Sequence, residues 1–168
     1  VSQDNSGLKS VLRFPKIYLW AQLFAGSEKV LNSFVEDYLK PTAGMRILDV
    51  GCGPATLLNW LPGDIYYRGV DSNAEYILAA NRRFGNRGVF EVGRAEELAG
   101  SSDGGFDRVI GFGLLHHLSD SQADKFLHAA KNLLSSDGQL VTIDPCFAAG
   151  QNWLTRTLIK CDRGQSIR

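Results

Sequence analysis

Two carboxylates and two glycines are the residues whose types and spacing suit chemistry best. Asp49 stands two residues before Gly51, and Gly51 and Gly53 flank Cys52 in the run Gly51-Cys52-Gly53-Pro54-Ala55-Thr56. Glycines at 51 and 53 let the backbone turn tightly and approach a ligand with no side chain in the way. A helix after the loop would direct its free N–H groups at that ligand. Asp49 would sit at the end of a buried strand, where an ionised carboxylate is costly unless something satisfies it. A cationic group such as an amino acid ammonium would do so. Asp71 ends a second apolar run roughly 20 residues after Gly51, the place where an acid accepts hydrogen bonds from ribose hydroxyls. The position of a third glycine in the dinucleotide pattern Gly-x-Gly-x-x-Gly is Thr56, so that pattern fails. His116, His117 and Asp144 are the other groups suited to acid–base work. Each follows an apolar run, and ligands of open α/β sheets bind at the carboxyl ends of the strands. Asp144 would either orient an acceptor or cap a turn before Pro145. Three scattered histidines without clustered carboxylates do not make a metal site.

The elements that must position these residues follow from periodicity. Residues 8–39 read as helical, broken at Gly26-Ser27, with apolar residues from Leu19 to Leu39 at three- and four-residue gaps and with Pro41 and Gly44 as the close. Short apolar strands then alternate with helices. Strands are expected at 46–50, 65–70, 89–92, 108–111 and 139–143. Helices are expected at 54–61, 73–84 (capped by Ser72 or Asn73), 120–134 and 152–160, with a turn at Ser136-Asp137-Gly138. Alternation of this kind implies an α/β fold with a doubly wound, mainly parallel sheet and helices on both faces. No repeat or linker divides the chain, so 1–168 reads as one domain. Within it, 8–40 form an N-terminal helical cap, 46–145 a ligand-binding core and 146–168 the start of an incomplete C-terminal part.

Composition narrows the class. Hydrophobic residues make up 44% and charged residues 21% of 168 residues, and 18 Lys plus Arg balance 18 Asp plus Glu. A neutral chain lacks the basic footprint of a nucleic-acid binder, so none is expected as partner. Three cysteines without a Cys-x-x-Cys pair argue against a disulfide framework and for a reducing cytoplasm. The polar start is not a signal peptide, and no apolar run approaches the ~18 residues of a membrane span. Cys146 is expected to be a small buried side chain.

Together the motifs resemble those of the class I S-adenosylmethionine-dependent methyltransferases of the small-molecule type. Leu48-Asp49-Val50-Gly51-Cys52-Gly53-Pro54-Ala55 resembles their first motif, with alanine in the last glycine place. Tyr67-Arg68-Gly69-Val70-Asp71-Ser72 resembles the second and Phe90–Leu98 a third. Phe106–Leu118 and Gly138–Pro145 resemble the fourth and fifth strands with their loops. The resemblance implies S-adenosyl-L-methionine as cofactor and methyl transfer to an acceptor, a small molecule by preference. It implies a Rossmann-like sheet of order 3-2-1-4-5-7-6, whose last two strands form a hairpin that the chain does not reach before Arg168. It implies cofactor contacts from Asp49, Gly51, Cys52, Gly53, Asp71, Ser72, Ala95, Glu96, Gly111 and Phe112, and from Tyr18 in the helical lid. Many members place an acid where Arg94 stands, near the adenine amino group. An arginine cannot accept that hydrogen bond, so backbone groups at Arg94 or Ala95, or Glu96, would replace it. His116 and Asp144 are the candidates for a catalytic role. Two alternatives stay open at this level: a module that binds the cofactor without catalysis, and a nicotinamide-dependent oxidoreductase.

Overall fold

The structure is a computed structural model, and it describes residues 30–100, 103–147, 149–151, 153 and 156. Five strands form a single parallel sheet: β1 (Arg46–Val50), β2 (Tyr66–Asp71), β3 (Val89–Val92), β4 (Phe106–Phe112) and β5 (Leu134–Ile143). Their spatial order is β3-β2-β1-β4-β5, the first five places of the expected series. The chain moves outward from β1 to β3 and then crosses to the other side for β4. The boundary between β1 and β4 is therefore a topological switch point, where such sheets bind ligands.

The central strand shows why its sequence is apolar on both faces. Ile47 belongs to one buried layer with Tyr67, Leu58 and Ile110. Leu48 and Val50 belong to the opposite layer with Val70, Val109 and Phe126. Successive strand residues point to opposite faces, and a parallel sheet covered on both sides buries each of them. Asp49 falls on the Ile47 face and is 2% exposed.

Among the described residues, two α-helices pack on the sheet. α1 (Ala74–Phe84) is capped by Asn73, whose side chain accepts from the Glu75 N–H, and buries Ile77, Ala80 and Phe84. α2 (Asp120–Leu133) opens on a capping box between Ser119 and Gln122 and buries Phe126, Ala129, Ala130 and Leu133. Reciprocal capping satisfies two N–H groups that the first turn would leave orphaned. Leu127 on α2 is 40% exposed.

Several expectations are corrected. The helix expected at 54–61 is a four-residue 3-10 turn, Thr56–Asn59, entered through Ala55 at φ 56°. A turn this short supplies little of the helix dipole that was expected to support the glycine loop. The turn expected at 136–138 lies inside β5. Phe106 pairs with Leu134 and Arg108 already with Gln139, so residues 135–138 bulge out of the ladder. Strand pairing by Leu134 overrides the turn chemistry of Asp137-Gly138. The helical segment before β1 ends at Lys40, which takes a left-handed φ of 47°, ahead of Pro41. Its last turn, Phe34–Leu39, is a wide π turn. In this segment Leu31, Phe34, Val35 and Leu39 are buried while Val30 and Tyr38 stay exposed. The break at Gly26-Ser27, the aromatics Phe14, Tyr18, Trp20 and Phe24, and the body of the helix at 152–160 lie outside the described residues.

Arg87 stabilises the segment that follows the glycine loop. Its guanidinium donates to the carbonyls of Leu58 (2.7 Å), Leu61 (2.9 Å) and Pro62 (2.9 Å). The planar fork reaches all three, which a lysine ammonium could not match in geometry. Arg87→Ala is expected to cost about 2–4 kcal/mol in urea unfolding, because hydrogen bonds to charged groups are worth about 1.5–3 kcal/mol each and only partly add.

Candidate functional site

The glycine loop leaves β1 and is pinned to β2. Gly51 N–H donates to the Val70 carbonyl at 2.7 Å, and Cys52 N–H reaches the same oxygen at 3.2 Å. Gly51 and Gly53 have φ of 76° and 53°, a left-handed backbone that favours glycine. They differ in what surrounds them. A Cβ on Gly51 would come 3.1 Å from Leu114 in the loop after β4, whereas one on Gly53 would meet nothing within 4 Å. Gly51 therefore lets two loops close on each other at the switch point, and Gly53 faces open space that a ligand can fill. Ala55, in the family's last glycine place, also adopts a left-handed φ of 56° and is fully buried.

Asp71 holds the loop from the β2 side. Its Oδ2 accepts the Gly53 N–H at 2.9 Å and its Oδ1 accepts the Asn73 N–H at 2.8 Å. Each carboxylate oxygen has about two acceptor positions, so both can take a further donor such as a ribose hydroxyl. Asp71 is half-buried and Ser72 beside it is exposed.

Asp49 is deeper than expected. The Tyr67 hydroxyl donates to its Oδ2 at 2.5 Å, while its Oδ1 is buried with no hydrogen-bond partner. Burial pushes the Asp49 carboxyl up to about 6; the charge of Asp71 adds to the rise and the Tyr67 hydrogen bond opposes it. Tyr67 is itself pushed well above the ordinary phenol range, first by burial and then by the charge on Asp49. Periodicity did not single out Tyr67, because its place beside Asp49 depends on strand register. β1 and β2 pair in parallel, with Ile47 opposite Tyr67 and Asp49 opposite Gly69, which puts the phenol on the carboxylate's face.

Cys52 contributes packing to this loop. Its N–H is engaged by Val70 and its carbonyl by the Ala55 N–H at 2.9 Å. Its thiol lies against Gly69, where an added Cβ would come within 2.8 Å of the sulfur. Burial and the neighbouring carboxylates push that thiol up, so it stays protonated. Both polar backbone groups of Cys52 thus have partners within the strand and loop.

Farther along the strand ends, Ser72, Val92, Gly93, Arg94 and Glu97 line a shallow depression. The Arg94 N–H donates to Glu97 Oε2 at 3.3 Å. Glu97, three residues on, is the acid that reaches this place. The spacing of a carboxylate three residues into a helical turn signals it. Ala95 is buried in the apolar layer and Glu96 follows it in the 3-10 segment Ala95–Gly100. Gly111 packs among Thr142, Leu114 and Phe126, and Phe112 meets Phe34 edge-on with ring centroids 5.3 Å apart. These two join β4 to its neighbours. Tyr18 lies outside the described residues.

His116 and Asp144 are brought together. His116 Nδ1 lies 2.8 Å from Asp144 Oδ1, and the His116 backbone N–H donates to the same oxygen at 3.1 Å. The His116 and His117 rings are in contact, their centroids 3.9 Å apart. The pair ties the loop after β4 to the end of β5. Cys146, just beyond, is exposed, because β5 has ended and its chain leaves the core. His128 Nδ1 engages the Asp124 carbonyl at 2.8 Å on the surface of α2. Among the described residues no three His, Cys, Asp or Glu side chains are grouped as metal ligands. No described helix is long and apolar enough to cross a membrane.

Comparison with known proteins agrees with this geometry. Residues 47–138 match the family described as a methyltransferase domain. The chain is 26% identical over 144 residues to a ribosomal RNA small subunit methyltransferase C of Chromohalobacter salexigens, covering 83% of this chain and 43% of that protein. It is 32% identical over 109 residues to a ubiquinone biosynthesis O-methyltransferase of Azorhizobium caulinodans, covering 61% and 41%. The chain thus spans less than half the length of these two relatives. A TehB-like SAM-dependent methyltransferase from Corynebacterium glutamicum shares the fold, with a TM-score of 0.61 and 22% identity over 84% of this chain and 77% of that one. With a parallel sheet of order β3-β2-β1-β4-β5 and a glycine loop at its switch point, this chain belongs to the class I S-adenosylmethionine-dependent methyltransferase family.

Proposed function

We propose that this chain transfers a methyl group from S-adenosylmethionine to a small-molecule acceptor. The observation that carries the reading is the pair of carboxylates at the β1 and β2 ends, one with a buried oxygen lacking a partner and the other holding the glycine loop. S-adenosylmethionine supplies a methyl carbon on a sulfonium, open to in-line displacement, so alignment of the reactants is the main requirement. Asp71 would accept from the ribose hydroxyls. The depression at Ser72, Gly93 and Glu97 would take the adenine, with Glu97 in place of the acid that Arg94 displaces. Asp49 would supply negative charge beneath the cationic end. His116, oriented by Asp144, would accept a proton from acceptors that must lose one. We read the whole chain as one domain, working in the cytoplasm.

Two features favour a small acceptor: the zero net charge and the O-methyltransferase relative. The ribosomal RNA relative raises an RNA acceptor as the alternative. An RNA acceptor would make turnover fall steeply with salt, whereas a small neutral acceptor would leave it nearly flat.

Calorimetric titration with S-adenosylhomocysteine tests the donor site. Gly53→Ala is the informative variant. A Cβ there meets nothing within the protein, so folding should lose only the about 1–2 kcal/mol of a left-handed alanine. Affinity should fall at least about tenfold, since a ligand would occupy that space. Unchanged affinity would place the cofactor elsewhere.

A further inference from the structure

We infer that the segment leaving β5 binds the methyl acceptor through Asp144 and Gln151, and that it takes a group that donates hydrogen bonds, an ammonium or a hydroxyl, in preference to an anion. The inference rests on the donor reading above and deepens it by naming the acceptor's chemical class. Two oxygens carry it. Asp144 Oδ2 and Gln151 Oε1 are both buried, and neither has a hydrogen-bond partner. A buried polar atom left without a partner is rare and calls for a reason.

The fold uses only the other half of each side chain. Asp144 Oδ1 accepts the His116 backbone N–H at 3.1 Å and stands 2.8 Å from His116 Nδ1. Gln151 Nε2 donates to the Cys146 carbonyl at 3.0 Å. A carbonyl only accepts, so it fixes which way the Gln151 amide points and leaves Oε1 on the far side. Each residue is therefore held by one polar atom while the second serves no contact within the chain. Gln151 reaches back to Cys146, whose Cα lies at most about 7.6 Å from that of Asp144 across two peptide units. Both groups thus belong to one turn of chain, on the scale of a small organic molecule.

That turn stands at the ligand-binding end of the sheet. Asp144 directly follows Ile143, the last residue of β5. The Ile143 carbonyl accepts the Gly113 N–H at 2.7 Å, and Leu114 is the residue that a Cβ on Gly51 would meet at 3.1 Å. The loop after β4 therefore links the glycine loop to the end of β5. In the order β3-β2-β1-β4-β5, Asp71 and Asp144 lie on opposite sides of the switch point, so donor and acceptor would flank it. Both unmet atoms are acceptors. An ammonium or hydroxyl brings the N–H or O–H that they lack, whereas a carboxylate or phosphate brings only further lone pairs and a negative charge against Asp144.

Tyramine and 4-hydroxyphenylacetate are matched probes, with the same phenol and an ammonium in one where the other has a carboxylate. Their binding is read by protein-detected NMR on the chain saturated with S-adenosylhomocysteine. The native chain should bind tyramine at least about tenfold more tightly, the scale of one hydrogen bond to a charged group, with shifts at His116, Asp144 and Gln151. Asp144→Asn keeps an oxygen for His116 and puts an N–H donor where Oδ2 stood. It should cut the preference for tyramine at least about tenfold, a change of selectivity that loss of a strut would not produce. Gln151→Leu should weaken tyramine without touching the His116 contact, and melting without ligand verifies that both variants fold. Equal binding of the two probes, shifts confined to other residues, or an unchanged preference in Asp144→Asn overturns the inference. Binding of neither probe to the folded chain overturns it too and leaves water to meet the two oxygens. In all these cases bound S-adenosylhomocysteine keeps the donor reading intact. Failure of S-adenosylhomocysteine to bind removes that reading, and the acceptor role of this segment with it.

Discussion

Asp71→Ala should lose cofactor affinity by a hundredfold or more and should also weaken the fold. The double effect follows from its two backbone bonds, to Gly53 N–H at 2.9 Å and to Asn73 N–H at 2.8 Å. A ribose contact alone would be worth about 1.5–3 kcal/mol, the scale of a hydrogen bond to a charged group. Here the same carboxylate also holds Gly53 in its left-handed conformation and fixes the start of α1. Removing it leaves both N–H groups unpaired and the loop free to relax. The loss of stability should be about 1–3 kcal/mol, at the lower end because Asp71 is only half-buried and water replaces part of what is lost. A small offset exists, since Asp71 no longer raises the carboxyl of Asp49. S-adenosylhomocysteine titration and urea unfolding read the two effects separately. Undiminished affinity would remove Asp71 from the site, whatever happened to stability.

The strands and the place of the loop were legible in the sequence because they rest on long, consistent signals, and the order of the strands followed from the family resemblance. The run Ile47–Val50 is apolar on both faces, as a central parallel strand must be. Asn73 is an N-cap residue placed just before an apolar period of 3.6, and it does cap α1. What was not legible depended on contacts between elements. Pro54–Leu61 carries enough apolar residues for a helix, yet Ala55 turns left-handed and Arg87, far along the chain, holds the following carbonyls in a tighter path. Ser136-Asp137-Gly138 has turn chemistry, but Leu134 pairs with Phe106 directly after α2 and forces those residues into a bulge. Around the site, the types of Asp49 and Asp71 were informative and their partners were not. Tyr67 and Glu97 became visible only once register and turn geometry were fixed. The His116–Asp144 contact likewise needed β4 and β5 to lie side by side.

Asp49→Asn should stabilise the protein at neutral pH relative to its effect in acid, and this follows from the raised carboxyl. Its folded-state value of about 6 lies above the reference of 3.8, so the folded protein binds the proton more tightly than the unfolded chain. Between about pH 4 and pH 6 the folded state therefore holds more protons, and stability falls as pH rises. Roughly two pH units at about 1.4 kcal/mol each give a penalty of about 3 kcal/mol at pH 7. Asparagine carries no charge and can still accept the Tyr67 hydrogen bond, so it escapes that penalty. Below about pH 4 native Asp49 is protonated in both states, and the two proteins should differ only by what the neutral groups do. The difference in unfolding free energy between variant and native chain should therefore shift by about 3 kcal/mol in the variant's favour from pH 4 to pH 7, or about 6–12 °C in melting temperature. The same substitution should weaken S-adenosylmethionine binding at pH 7. A stability difference independent of pH would show that Asp49 is not the costly charge. Stability gained together with binding lost is the signature of a strained group kept for function. Tyr67 fits that account: its single hydrogen bond makes an ionised carboxylate tolerable in the apolar layer without pairing it with a cation, which leaves the charge for a ligand to meet.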